Sequence, residues 1–194
     1  MNLLWSAILA LQAAIPPNDP SAVVREYFEG MKALDAERAN AVLADDYRLV
    51  DSDGSSRLHN RALGYVITEW EKGVHARWSY RILSERGDTV TALLEEESDY
   101  FTLLGLERSI QVRSYIVRDG KILQSFGHLY VTAKSSQAVA VQQFKSWLRA
   151  TVSQPDPALI GPAGNLLLTK ESAQPMIYWM GRWRAEVDSA KNRR

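Results

Sequence analysis

Three side chains of different acid–base character lie near the middle of the chain: Glu96, Arg113 and His128. An imidazole exchanges a proton near neutral pH. A carboxylate in an apolar cavity has its pKa raised by desolvation, and a nearby guanidinium lowers it again. Converging on one open cavity, the three would act as general base and oxyanion stabiliser on a carbonyl substrate. That chemistry suits proton abstraction or dehydration, a lyase or isomerase, better than nucleophilic catalysis. The aromatic residues Tyr47, Trp70, Trp78, Tyr80, Tyr100, Tyr115, Phe126 and Tyr130 are the candidate pocket lining. They suffice to bind an apolar or planar ligand without any catalysis.

Each residue also has a structural reading. His128 alone in a strand can be a hydrogen-bonded core or rim residue. Glu95-Glu96-Glu97 reads as a solvated edge with one member turned inward. Arg113 can pair with Glu96 across neighbouring strands. Aromatic residues fill cores as readily as they line cavities. The sequence holds no paired-histidine zinc motif, phosphate-cradling glycine loop or nucleophile elbow. It has no cysteine, which excludes disulfides and thiolate chemistry. No metal and no cofactor are expected. Lys plus Arg equals Asp plus Glu at 23 each, so no basic excess argues for nucleic acid.

The elements that position these residues follow from periodicity. The chain has 194 residues, 46% of them hydrophobic and 24% charged, enough for one domain with a full core. Leu3 to Leu11 is a short apolar run followed by small residues and Pro16-Pro17. It is too short to span a bilayer as a helix, and residues 1–15 read as a secretory leader. The expected localisation is periplasmic or secreted, with a cytoplasmic protein and a packed N-terminal helix as the alternative; no membrane association is expected after processing. Ser21 stands at a candidate N-cap, and apolar residues at helical spacing predict a helix over residues 22–44. Tyr47 to Val50 reads as a short strand and residues 61–72 as a second helix with Leu63, Val66, Ile67 and Trp70 on one side. Strands are predicted over residues 76–85, 89–103, 107–118 and 121–133, joined at Arg86-Gly87-Asp88 and Arg118-Asp119-Gly120 by hairpin turns. Helical spacing returns after Lys134, and Pro175 fits the first turn of a last helix. Helices followed by consecutive hairpin strands indicate an α+β fold. Alternation groups Glu96 with the apolar Val90, Ala92 and Leu94, and so on the inner face.

The order of helix, short strand, helix and curled antiparallel sheet resembles the nuclear transport factor 2-like superfamily, and within it the SnoaL-like polyketide cyclase group. Ala41-Val42-Leu43-Ala44-Asp45-Asp46-Tyr47 looks like that family's junction from first helix to first strand. Asp53-Gly54 falls where such proteins turn before their next helix. Asp119-Gly120-Lys121-Ile122 looks like the turn into the last strand. The resemblance covers residues 21–133 and implies a cystatin-like cone, a curved sheet packed on N-terminal helices around a cavity. Residues 134–194 are an additional helical tail. It also implies that Gln111, Arg113, Tyr115 and Val117 point inward, that Ile122, Gln124, Phe126, His128 and Tyr130 do the same, and that a homodimer is the expected assembly. It implies no particular reaction. The cyclases tend to carry an acidic residue in the last strand, where this chain reads Gln124-Ser125-Phe126-Gly127-His128.

Three functions therefore compete. The first is a small-molecule binding domain for an apolar or aromatic ligand. The second is an enzyme using His128 and Glu96 as general acid and base. The third is a structural or dimerisation module built on Phe144, Trp147, Ile177, Trp179 and Trp183 of the tail.

Overall fold

The computed structural model describes residues 19–50, 56–58, 61–130, 134–152 and 158–192, without the side chains of 56–58, 61, 128–130 and 134–135. The predicted leader falls outside the described residues. Among the described residues no helix is long and apolar enough to cross a membrane.

Helix α1 (Pro20–Lys32) is capped by Asp19, two residues before the expected Ser21; its side chain accepts from the Ala22 N–H at 2.8 Å. Pro20 then occupies the first turn, where its missing N–H costs nothing. The long helix expected to residue 44 breaks at Lys32. Leu34 adopts φ of +51°, and Asp35 caps a separate α2 (Ala36–Ala41) by accepting from the Arg38 N–H at 3.0 Å. A side chain at Gly30 would stand 2.5 Å from the Ala39 backbone nitrogen. Glycine there lets α2 fold back against α1, which accounts for an otherwise unfavourable helix residue.

Strands β1 (Leu43–Val50) and β2 (Ser56–Leu58) precede α3 (Arg61–Gly73). Strands β3 (Arg77–Arg86) and β4 (Thr89–Glu97) follow, then α4 (Asp99–Leu104), β5 (Ser109–Arg118) and β6 (Lys121–Tyr130). The strand predicted over residues 89–103 stops at Glu97. Ser98 caps α4 by accepting from the Phe101 N–H at 3.3 Å, and Gly105 closes it at φ +81°. The six strands are ordered β2-β1-β6-β5-β4-β3 in one curled, unclosed sheet. β1 and β6 run parallel; the remaining neighbours are antiparallel. Helices α5 (Lys134–Thr151) and α6 (Lys170–Lys191) complete the chain. Helix α6 starts five residues before Pro175, from a capping box between Thr169 and Ser172.

Two cores result. Val23, Val24 and Phe28 of α1 pack on Val90, Ala92, Leu94, Tyr115 and Ile122 inside the cone. Trp70 of α3 and Val74 just past its end pack with Phe101, Leu104, Phe144, Leu148, Met176 and Met180 of the later helices. The tail thus shares a continuous apolar core with α3 and α4. Phe144 and Trp183 are buried inside the chain, while Tyr178 stays exposed.

Candidate functional site

A cavity of about 520 Å³ opens where the two cores meet. Its walls come from β1 (Leu49), α3 (Leu63, Ile67, Trp70, Glu71), β3 (Trp78), β4 (Glu96), α4 (Tyr100, Phe101), α5 (Gln137) and Leu168 before α6. Sheet register places the strand residues: Trp78 pairs directly with Glu96. Helix α3 is docked by its C-terminal end. The Asp99 N–H donates to the Val74 carbonyl at 3.0 Å, and His75 Nδ1 lies 2.7 Å from Asp99 Oδ2. On the other side the Gln174 side chain of α6 donates to the Gly73 carbonyl at 3.0 Å.

Two carboxyl groups enter this apolar space. Burial pushes Glu96 up to about 8, and the neighbouring Glu71 adds to the rise. Burial likewise pushes Glu71 up to about 7. The Trp78 indole N–H offsets part of that rise without completing a hydrogen bond of normal geometry. Glu96 keeps some accessible surface because it lines the cavity, yet desolvation dominates its titration. Two interacting carboxyls titrate as a pair. Near neutral pH this pair holds protons that ordinary carboxylates have lost. The indole nitrogens of Trp70 and Trp78 are both buried, and among the described residues neither completes a hydrogen bond. Burial also raises the Tyr100 hydroxyl, which Gln137 partly compensates.

Of the residues singled out from sequence, Trp70, Trp78, Glu96 and Tyr100 meet in this cavity. Tyr100 arrives on α4, since the strand ends before it. Arg113 is elsewhere: it pairs in register with Ala92, four residues from Glu96 along β4. Its guanidinium donates to Gln111 Oε1 at 2.9 Å and to Ser125 Oγ at 3.3 Å. With Tyr47, Tyr115 and Ser125 it lines a second space of about 60 Å³, separated from the larger cavity by Leu49 and Trp78. Tyr47 and Ser125 hydroxyls lie 2.7 Å apart there. Arg113 is accordingly absent from the causes that set Glu96.

Of the four remaining residues, Tyr80 and Phe126 lie away from the larger cavity. Tyr80 stacks on Phe28, centroids 4.6 Å apart, and donates to Glu29 Oε1 at 3.0 Å on the rim beneath α1. Phe126 is turned outward, because β6 carries a register shift. Ile116 pairs with Gln124 but Val117 with Ile122, so residue 123 is the inserted one. The bulge reverses alternation beyond it and sends Ser125 inward at 0% exposure. A second shift, between Val112↔Leu129 and Arg113↔Gly127, leaves residue 128 without a partner on β5. The side chains of His128 and Tyr130 lie outside the described residues.

Glu71, Gln137 and Leu168 were not anticipated. Glu71 had a signal: Leu63, Ile67 and Glu71 follow at spacing four along the apolar side of α3. Gln137 and Leu168 had none, since only tertiary docking of the tail brings them to the cavity. Among the described residues no group of three or more His, Asp or Glu side chains could hold a metal ion.

A helix pair, a short strand, a helix and four antiparallel strands curled around α1 make up the order observed. That is the α+β arrangement, helices against a curled, mostly antiparallel sheet, that the sequence led us to expect. No family model matches the sequence, and no curated protein matches it. Solved structures similar to the chain include IdmH from Streptomyces antibioticus, a candidate polyketide cyclase, at 14% identity and TM-score 0.49, covering 64% of this chain and 99% of that one. TerC, co-crystallized with polyporic acid, is similar at 17% identity and TM-score 0.45, over 58% of this chain and 92% of that one. An NTF2-like protein of unknown function from Cytophaga hutchinsonii is similar at 9% identity and TM-score 0.45, over 60% and 94%.

Proposed function

We propose that the protein binds an apolar or aromatic small molecule in the cavity between its sheet and its helices. The observation that carries this reading is the cavity itself: about 520 Å³, walled mainly by aliphatic and aromatic side chains, with buried polar groups that lack partners. Ligand sites have this size and this mixture of apolar wall and few polar groups. Thermal-shift screening with steroids, polyketide-like aromatics and fatty acids tests it. A ligand of this kind should raise the melting temperature, and Trp78→Ala should abolish the rise. A panel without effect would remove the reading.

A second reading, general acid–base catalysis of the lyase or isomerase type, is favoured by the two carboxyls that hold protons near neutral pH. It places Glu96 and Glu71 in the roles first considered for Glu96 and His128. Its test is exchange of a ligand's acidic C–H for deuterium, lost in Glu96→Gln. A homodimer and export after residue 15 accompany these readings as proposals. Mass in solution and N-terminal sequencing of the natively produced protein decide them.

A further inference from the structure

We propose that the ligand of this cavity is a hydrophobic amine, held as its ammonium ion by Glu71 and Glu96 among the rings of Trp70, Trp78, Tyr100 and Phe101. The inference rests on the small-molecule reading above and names the ligand's charge class.

Among the described residues the cavity has acids and no bases. Among the described residues, charged or titratable groups reach it from three elements: Glu71 from α3, Glu96 from β4 and Tyr100 from α4. Strands β1 and β3 contribute Leu49 and Trp78; α5 contributes the neutral Gln137, and Leu168 closes the remaining side. Among the described residues no Lys, Arg or His lines it. Among the described residues neither carboxyl has an ion-pair partner, although other glutamates of the same chain pair freely, as Glu26 does with Arg38 and Glu95 with Arg108. Glu71 is more than nine-tenths buried, at 8% exposure.

Buried acids without a cation are costly once ionised. A proton removes that cost one way. An organic cation removes it another, with one carboxyl ionised against it and the other within reach of the same ammonium's hydrogen bonds. The wall suits such a guest. Tryptophan and tyrosine rings attract ammonium groups, most strongly where water is excluded. The aliphatic side formed by Leu49, Leu63 and Ile67 suits the guest's apolar body. The indoles also fit: the Trp70 N–H has no partner among the described residues, and the Trp78 N–H, which already acts on Glu71, would bond more strongly once that carboxyl ionises. A neutral guest with oxygen acceptors would use the indoles and leave the carboxyl pair to hold its protons.

The charge balance is simple. One ammonium enters, one carboxylic acid ionises against it, and the proton passes to solvent. Affinity should therefore rise with pH by up to about tenfold per unit below the carboxyls' own titration, and level off above it. It should fall only where the amine itself deprotonates, near pH 10 for an alkylamine.

Matched pairs test the inference: tryptamine against tryptophol, phenethylamine against phenethyl alcohol, dodecylamine against dodecanol. Calorimetry on the full chain in two buffers of different ionisation enthalpy gives affinity and protons released. The expected result is at least about tenfold tighter binding of the amine in one pair or more, with release of protons. Glu71→Gln/Glu96→Gln should erase that preference while still binding the alcohol. Should the double variant fail to fold, either single variant and the wild-type proton release carry the same decision. Equal binding of amine and alcohol, or binding of neutral aromatics only, overturns the amine while leaving the pocket. No binding by any amine or by the earlier panel overturns both.

Discussion

Trp78 on β3 stands directly opposite Glu96 on β4, and both face the cavity that Glu71 enters from α3. One carboxyl is thus held by sheet register and the other by the docking of a helix. The sheet fixes Glu96 relative to Trp78 through a long antiparallel ladder. The position of Glu71 depends on contacts that α3 makes with α4 and α6. The chemistry of the pair is therefore tied to helix packing some way from either carboxyl.

The carboxyl pair predicts a stability that falls with rising pH. A carboxyl whose pKa is higher folded than unfolded binds more protons in the folded state between the two values. Stability is then fully present below the ordinary value of 4.5 and is lost as pH rises through about 7 for Glu71 and about 8 for Glu96. Melting temperatures measured from about pH 5 to about pH 9 should decline by several degrees, at about 2–4 °C per kcal/mol for a chain of this size. Glu96→Gln should flatten the decline. An unchanged slope in that variant would show that Glu96 is not desolvated.

Gly73 predicts a second effect. A methyl group there would stand 2.4 Å from the Ala173 Cβ of α6. Neither atom belongs to a flexible side chain, so the helices must separate. Gly73→Ala should cost about 1–3 kcal/mol by overpacking. It should also move Glu71, so the pH slope just described should change as well. Chemical denaturation at two pH values reads both. A substitution without effect would mean that α3 and α6 do not meet at this point.

The bulge in β6 predicts an inverted pattern of tolerance. Ser125 is fully buried beside Tyr47 and Arg113, whereas Phe126 is partly exposed on the outer face. Ser125→Leu should destabilise by about 1–3 kcal/mol through overpacking and loss of its hydroxyl partners. Phe126→Ser should cost less, although a core phenylalanine would cost more. Urea midpoints of the two variants decide it. The reverse order would restore regular alternation and put Phe126 in the cone.

Much of the cone was legible because alternation and turn chemistry agree there. Val90, Ala92, Leu94 and Glu96 share a face as their spacing requires, and Asp119-Gly120 makes its hairpin. The failures have specific causes. Periodicity continues through the α1–α2 break, since Gly30 matters only through its approach to Ala39. Regular alternation misplaces Phe126, since a bulge leaves no mark in composition. The strand over residues 89–103 hid the Ser98 cap, where a serine, an acidic residue and Gly105 had marked a short helix. Glu96 was accessible to sequence reasoning through its strand. Its partner Glu71 was hidden by an ordinary expectation that a glutamate on a helix faces water.

The C-terminal helices supply the last prediction. They carry Phe144, Leu148, Met176 and Met180, all at 0% exposure, against Trp70, Val74, Phe101 and Leu104. Losing a single large core side chain costs about 2–5 kcal/mol, and a domain holds about 5–15 kcal/mol in all. Deleting residues 134–194 removes several such side chains and uncovers the apolar back of α3 together. The truncated chain should not fold, and it should aggregate or bind hydrophobic dyes. Phe144→Ala is the graded version, and should lower stability by about 3–5 kcal/mol. Circular dichroism and mass in solution check both. A truncated chain that stays folded, with a cooperative melt, would make residues 21–133 an independent cone and the tail a dispensable cover. The cavity would then lose only the wall formed by Gln137 and Leu168, and ligand binding by the truncated chain would measure what that wall contributes.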